Sequence, residues 1–186
     1  MEEKEYKVML NLEKYNELFN QFDWETYIRQ CNYYYDSKSF WANTHGYTVR
    51  VRKIEDNIIL QIKSPNTSKE AYKSRTEYGM EISRIPEYLY TADLVSIKDD
   101  TSRPERLEML GYLETERYTK HLTDDIVLFL DRNQYCGFVD YEVEVEFSKD
   151  SGTAEKFLLG LGLEPHKIPG KYTRFVMQFT NVEDNK

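Results

Sequence analysis

Polar and apolar residues alternate along much of this chain, a pattern typical of β-strands with one buried face. The clearest case is residues 141–147, where Glu142, Glu144 and Glu146 would share one face and only apolar or aromatic residues the other. Similar patterns predict strands at residues 3–10, 31–36, 47–53, 58–63, 75–82, 113–122, 125–131, 139–147 and 172–179. So many sequential strands favour an antiparallel barrel or sandwich.

Helical periodicity is confined to short stretches. Residues 12–22 place Leu12, Tyr15 and Leu18 on one face behind Asn11, a good N-cap, and so predict an amphipathic helix. Further short helices or helical turns are predicted at residues 86–92, 104–110 (closed by Gly111) and 153–161. The fold class is therefore α+β, with helices appended to a sheet.

Length and hydropathy limit the class of protein. The 186 residues show no repeat or Gly-Ser linker, which predicts a single domain over residues 1–186. A charged fraction of 31% and a mean hydropathy of -0.74 argue against a membrane protein. The first residues contain no secretory apolar core, so we expect a cytoplasmic protein.

Net charge and the scarce Cys and His residues exclude several kinds of site. The formal net charge of -8 argues against nucleic acid as a partner, because nucleic-acid-binding surfaces are normally basic. Cys31 and Cys136 form no CxxC pair, and His45, His121 and His166 are scattered. The sequence therefore predicts no zinc site, disulfide framework or histidine metal site.

The charged strand faces are the candidate chemistry. Taken one strand at a time, charges facing water are the ordinary interpretation, but three glutamates on one face repel one another unless cations lie nearby. If the strands close with these faces inward, carboxylates could hold a hard divalent cation and basic groups could bind phosphate. The candidates for the metal are Glu3, Glu5, Glu144 and Glu146, and those for phosphate are Lys7, Arg50, Arg52 and Lys63.

The segment Glu3-Lys4-Glu5-Tyr6-Lys7 matches the ExExK signature of the CYTH family, also called triphosphate tunnel metalloenzymes. Later motifs follow in the family's order: Arg50-Val51-Arg52, Leu60-Gln61-Ile62-Lys63, Arg75-Thr76-Glu77, Arg117, Asp131, the 142–146 glutamates and Lys171. Together they span nearly the whole chain, which resembles the small bacterial single-domain members.

The resemblance implies an eight-stranded antiparallel β-barrel, a charged tunnel that binds a small triphosphate with Mg²⁺ or Mn²⁺. By position, Glu3, Glu5 and Glu146 become metal ligands, with Glu144 nearby directly or through water. The implied phosphate binders are Lys7, Arg50, Arg52, Lys63, Arg117 and Lys171, of which Lys7 and Lys63 are the catalytic candidates. Glu77, Asp131 and Glu142 become a supporting acidic wall, where Glu77 and Asp131 orient the basic groups or serve a second metal.

Four residues outside the motif lie close to it. Glu81 shares a strand face with Glu77, and we expect it to be solvated. Arg174 lies beside Lys171 and could face either the lumen or water. Tyr34 or Tyr35 could contact substrate, although aromatic residues in strands more often pack.

Three functions fit these residues. The leading hypothesis is a metal-dependent triphosphatase acting on inorganic or organic triphosphates. Class IV adenylate cyclase activity would use the same contacts but requires the ribose 3′-hydroxyl in line with the α-phosphorus. A non-catalytic binder of triphosphate or polyphosphate is the third hypothesis, and a domain with merely solvated charges would neither bind nor turn over.

Overall fold

The computed structural model describes residues 2–183. Its strands are β1 (Glu2–Leu10), β2 (Thr26–Asp36), β3 (Thr48–Ile54), β4 (Asn57–Lys63), β5 (Lys73–Glu81), β6 (Tyr88–Tyr90), β7 (Arg106–Thr123), β8 (Ile126–Tyr135) and β9 (Phe138–Phe147). Its helices are α1 (Leu12–Gln21), α2 (Trp41–Thr44), α3 (Ser151–Gly160) and α4 (Lys171–Glu183), with a 3-10 turn at Thr91–Asp93. No helix in this part of the chain is long and apolar enough to cross a membrane.

Eight of the strands close into an antiparallel barrel. The order is β2-β3-β4-β5-β1-β9-β8-β7, and β7 pairs back onto β2 from Thr26↔Thr119 to Asp36↔Glu108. The short strand β6 adds to one end of β7 outside the ring. The predicted eight-stranded barrel with appended helices is confirmed, and the single domain over residues 1–186 stays a prediction.

The apolar strand faces point away from the lumen. Tyr6, Val8 and Val143 pack in one buried cluster with Leu18 of α1 and Leu158 of α3. A second cluster combines β3 and β4 residues such as Val49 and Ile62 with the 3-10 turn region through Leu94 and Ile97. Fully burying an aliphatic side chain contributes about 1.5–3 kcal/mol, so these outer clusters stabilise the barrel wall. The alternate, charged faces are thereby turned inward.

Helix α1 begins where its sequence predicts. The Asn11 side chain accepts a 2.7 Å hydrogen bond from the backbone N–H of Lys14, as an N-cap does. Tyr15 and Leu18 are buried against the barrel. The helix predicted over residues 12–22 is therefore confirmed, and so is the later one, which occupies α3.

The strand predicted over residues 172–179 is wrong, because this segment is helix α4. Its Tyr, Thr, Phe and Val content favours a strand in isolation, and tertiary packing overrides that preference. The apolar residues of α4 recur at helical spacing and pack against residues of β2, β7 and β8: Tyr172, Phe175 and Val176 against Tyr34, Leu113 and Tyr135.

The helical turn predicted over residues 104–110 is also wrong, because this segment is the start of the long strand β7. The helical turn predicted over residues 86–92 is wrong at Tyr88–Tyr90, which form β6, and only its last two residues belong to the 3-10 turn at Thr91–Asp93. Gly111 closes no helix but lies at a β-bulge, opposite the register shift between Tyr34 and Tyr35, with φ 156°. A Cβ there would lie 3.1 Å from the Phe175 ring, so glycine lets α4 approach the barrel.

A fully buried carboxylate at the end of β2 ties two helices to the barrel. Asp36 accepts backbone N–H groups from Ser37 and Ala42 on Oδ1, each at 2.7 Å, and from Asn43 on Oδ2 at 3.0 Å. The Tyr172 hydroxyl of α4 donates to the same Oδ2. Asp36 therefore holds α2 and the start of α4 at one point.

We predict that Asp36→Ala destabilises the fold by about 3 kcal/mol, because each buried donor left without its acceptor costs roughly 1–3 kcal/mol. Urea denaturation followed by circular dichroism measures this. Asp56→Ala, in the exposed β3–β4 turn, is the control and should change stability by less than about 0.5 kcal/mol. Equal effects of the two substitutions would contradict the anchoring role of Asp36.

Candidate functional site

A cavity of about 130 Å³ lies among the inward side chains. Eleven of the predicted site residues line it: Glu3, Glu5, Lys7, Arg50, Arg52, Lys63, Glu77, Arg117, Glu144, Glu146 and Lys171. The remaining two, Asp131 and Glu142, are buried behind Lys171 and contact its ammonium. Closure of the barrel therefore brings all the candidates into one connected site.

Three glutamates of β1 and β9 form what we call the acidic triad: Glu3, Glu5 and Glu146. Their carboxylates can each offer an oxygen within 4.8 Å of the other two, because Glu5 and Glu146 are register partners. Oxygen ligands at this spacing suit a hard divalent cation. The acidic triad therefore fits a divalent metal ion by the chemistry and spacing of its carboxylate oxygens.

The triad is electrostatically uneven. Burial and the nearby Glu3 and Glu144 charges raise the pKa of Glu146 to about 8. Burial also acts to raise the pKa of Glu3, but the adjacent Lys63 ammonium outweighs it and holds that pKa at about 2. Near neutral pH, Glu146 therefore carries a proton that a bound cation would displace.

A second acidic group surrounds an ammonium. Lys171 Nζ lies 2.7 Å from Asp131 and 2.6 Å from Glu144, and it also pairs with Glu142. Arg117 donates to both oxygens of Asp131, at 2.8 and 2.6 Å, and to Glu144 at 2.6 Å. Burial opposes ionisation of Glu144, yet Lys171, Lys7 and Arg117 together hold its pKa well below its usual value.

Glu144 therefore lies in a different group from the other three metal candidates. Its nearest cations include Lys7, whose Nζ pairs with Glu144 and lies 2.8 Å from Glu5 of the triad. Lys7 thus bridges the two acidic groups. Burial disfavours the Lys7 ammonium, but Glu144 and Glu5 more than compensate and raise its pKa.

The basic wall is formed by β3 and β4. Lys63 pairs with Glu3 and lies 2.9 Å from Glu77. Arg50 donates through Nε to Gln61, and Arg52 donates through Nε to Asn32, each at 2.9 Å. Burial, followed by repulsion from Arg50 and Arg117, lowers the pKa of Arg52 to about 9. An anion beside Arg52 would relieve this repulsion.

Sequence reasoning missed part of the wall. Lys73 lines the cavity beside Arg75, and so do Gly170, which precedes α4, and Tyr172 and Thr173 in its first turn. Burial and the positive charge of Lys7 lower the pKa of Lys73 to about 7. Strand β5 starts two residues before the predicted strand, so the alternation Lys73, Arg75, Glu77 was the signal that could have found Lys73.

The four residues near the motif lie in different environments. Glu81 is exposed, as predicted. Arg174 is on a helix and pairs with Asp140 at 2.9 Å and Glu142 at 3.0 Å. Tyr34 is fully buried against the Tyr172 ring, 4.8 Å away between centroids, and also lines the cavity. Tyr35 belongs to an outer cluster.

Residues 1–165 match the family model of the CYTH domain. The chain belongs to the CYTH family. The match ends before α4, so the CYTH model covers all eight barrel strands but not Lys171. No curated protein sequence matches the chain significantly.

Solved structures share the CYTH barrel at low sequence identity. A candidate adenylate cyclase from Bacillus halodurans is 21% identical with a TM-score of 0.71, covering 92% of this chain and 95% of that chain. A Hippeastrum protein, described as a candidate adenylyl cyclase with a dominant triphosphatase activity, is 18% identical with a TM-score of 0.74, covering 94% and 95%. The Mimivirus capping enzyme triphosphatase is 11% identical with a TM-score of 0.53, covering 87% of each chain. These likenesses establish the fold.

We predict that the free energy of unfolding of metal-free Glu146→Gln, relative to that of the wild type, is higher at pH 8 than at pH 5. Because the Glu146 pKa is about 8 in the fold and 4.5 in the unfolded reference, the native state binds more protons between these values. Its contribution to stability then falls by about 1.4 kcal/mol per pH unit as pH rises. Urea denaturation in chelator, at pH values from 5 to 9, measures the difference between the variant and the wild type.

At pH 8, added Mg²⁺ or Mn²⁺ should make the wild type more stable than Glu146→Gln. The reason is that the wild type would bind the metal ion tightly and the variant only weakly. A wild-type minus variant difference that stays constant with pH would contradict the raised pKa.

Proposed function

We propose that this CYTH protein is a divalent-metal-dependent triphosphatase that binds the triphosphate inside its barrel. The acidic triad carries the proposal, because three carboxylate oxygens within 4.8 Å of one another line the same cavity as cations suited to phosphate. Membership of a metal-dependent family agrees with this arrangement.

Glu3, Glu5 and Glu146 would hold the metal, and an all-carboxylate donor set favours Mg²⁺ or Mn²⁺ over softer ions. When bound, such an ion neutralises phosphate charge and lowers the pKa of a coordinated water. For this reason we assign no protein side chain as a general base.

The lumen is positive although the protein is acidic overall. Of the residues that the structure describes, eight basic and five acidic side chains line the cavity, whereas the whole chain has a formal net charge of -8. A cationic cavity in an acidic protein attracts a small polyanion and does not offer the extended basic surface that nucleic acid requires. A small triphosphate is therefore the substrate that fits.

When a triphosphate binds, basic side chains of the lumen would exchange carboxylate partners for phosphate oxygens. Lys7, Lys63, Arg117 and Lys171 each contact carboxylates, and their donors can turn to phosphate oxygens when the substrate enters. Arg50 and Arg52 add guanidinium forks that suit bidentate phosphate contacts. The six cations would together fix the triphosphate chain.

Lys7 and Lys63 are the proposed catalytic cations. Each contacts one glutamate of the triad, Glu5 and Glu3 respectively. They therefore lie beside the proposed metal, where positive charge stabilises the phosphoryl group during transfer. Glu77 and Asp131 orient Lys63 and Lys171 from behind.

Adenylate cyclase activity is the second candidate, since it would use the same phosphate contacts and the Bacillus halodurans neighbour is a candidate cyclase. The described cavity wall is mainly charged, with Tyr34, Thr48 and the first turn of α4 as its other members. Such a wall offers many contacts to a phosphate chain and few to an adenine ring. This composition favours hydrolysis.

We predict that Glu5→Gln lowers phosphate release by on the order of 100-fold, as expected when a group that organises transition-state charge is removed. Glu81→Gln, on the exposed end of β5, is the matched control and should keep wild-type turnover. Inorganic triphosphate, ATP and thiamine triphosphate are each incubated with Mg²⁺, Mn²⁺ or chelator. Phosphate, pyrophosphate and cyclic AMP are then measured in the same samples.

Chelator-sensitive phosphate release that is lost in folded Glu5→Gln supports the triphosphatase. Cyclic AMP with pyrophosphate from ATP would establish the cyclase instead. Wild-type turnover by Glu5→Gln would remove the metal role of the triad, and absence of every product would reduce the protein to a binder.

A further inference from the structure

Two neighbouring cations of β5, Lys73 and Arg75, carry buried donor atoms that are left without a hydrogen bond in the described part of the chain. Among residues 2–183, Lys73 Nζ and Arg75 Nε are buried and make no hydrogen bond. The hydrogen bond that Arg75 donates through Nη1 to the Thr48 hydroxyl is long, at 3.4 Å. By contrast, Lys7, Lys63, Arg117 and Lys171 each pair with carboxylates.

A buried cation whose donor atoms make no hydrogen bond is costly to the fold. Removing a charge from water without a bonded partner destabilises a protein, whereas a paired charge regains much of that cost. The lowered pKa of Lys73 is a sign of the same penalty, caused first by burial and then by Lys7. Two such groups side by side on β5 are explained if an anion compensates them.

Lys73 and Arg75 lie where an anion could bind, between the acidic triad and the start of α4. Lys73 and Arg75 are register partners of Glu5 and Glu3, so they flank the acidic triad on the β5 side. A Cβ on Gly170 would lie 3.5 Å from Lys73 Nζ, which puts the ammonium at the start of α4. Gly170 C=O accepts the Arg174 N–H at 3.0 Å; the intervening N–H groups belong to the positive end of the helix dipole.

We propose that Lys73 and Arg75, with the first turn of α4, form an anion subsite for one phosphate group, which binds there without opening an ion pair. The choice of phosphate as the oxyanion rests on the proposed function. The group comes either from the terminal phosphate of the substrate or from released inorganic phosphate. In both cases Lys73 and Arg75 position the anion next to the triad.

Inorganic phosphate is the probe for the subsite. It is titrated calorimetrically in chelator into the wild type and into Lys73→Met, which removes the charge and keeps an unbranched side chain. Binding should weaken about 10-fold in Lys73→Met and be retained in Lys73→Arg. Lys53→Met, on an exposed position of β3, is the matched control and should bind like the wild type.

Thermal unfolding separates a binding role from a structural one. Without phosphate, Lys73→Met should melt above the wild type because it lacks the buried ammonium, and added phosphate should raise its melting temperature less. A variant that melts lower and binds phosphate unchanged would overturn the subsite. Arg75→Gln should repeat both results, and its failure to do so would confine the site to Lys73.

Turnover distinguishes the two sources of the phosphate group. If the substrate's terminal phosphate binds here, Lys73→Met raises KM for inorganic triphosphate by about 10-fold. If released phosphate binds here, KM is unchanged and product inhibition by inorganic phosphate is relieved. If Lys73→Met changes neither KM nor product inhibition, the subsite is overturned and the triphosphatase is unaffected. A protein that hydrolyses no triphosphate but binds phosphate through Lys73 would overturn the proposed function alone.

Discussion

Mutual compensation of buried charge is the constraint on which this barrel depends. Lys171, Arg117 and Lys7 share the buried carboxylates of Asp131, Glu142 and Glu144. A buried ion is tolerated only when its partners are held in good geometry, and loss of one partner strands the other. The closed ring of eight antiparallel strands provides that geometry, since each strand fixes the position of the next.

Turning the charges inward has a second consequence for the fold. The apolar strand faces then need cover from outside, which α1, α3 and the segment around the 3-10 turn provide. In an ordinary globular sheet protein the core lies between layers. Here the cores lie around the barrel, so the lumen is left free for ligand chemistry, and the side chains that set its charge contribute little to hydrophobic stability.

Strand alternation favoured a barrel or sandwich and predicted the metal and phosphate candidates of β1, β3, β4 and β9, because both depend on which face of a strand a residue occupies. The eight-stranded barrel and the remaining site residues were implied by the resemblance to the CYTH family. The alternation placed Glu5 and Lys63 correctly on inward faces. It failed at α4, where Phe175 and Val176 have strand propensity but are packed as a helix by β2, β7 and β8. It also missed Lys73, because the strand boundary was set two residues late, and pairing of charges between strands is not visible along one strand.

The residues matched by the CYTH model end at residue 165, whereas the network of buried ion pairs extends to Lys171. A chain that ended at residue 165 would keep every strand of the ring, yet Asp131, Glu142 and Glu144 would lose the ammonium of Lys171. The basic side chains lining the cavity would fall from eight to seven, and three carboxylates would keep fewer cations, which weakens the attraction of the lumen for phosphate. The family boundary thus cuts off part of the positive charge of the lumen, so experiments on this protein require the C-terminal helix.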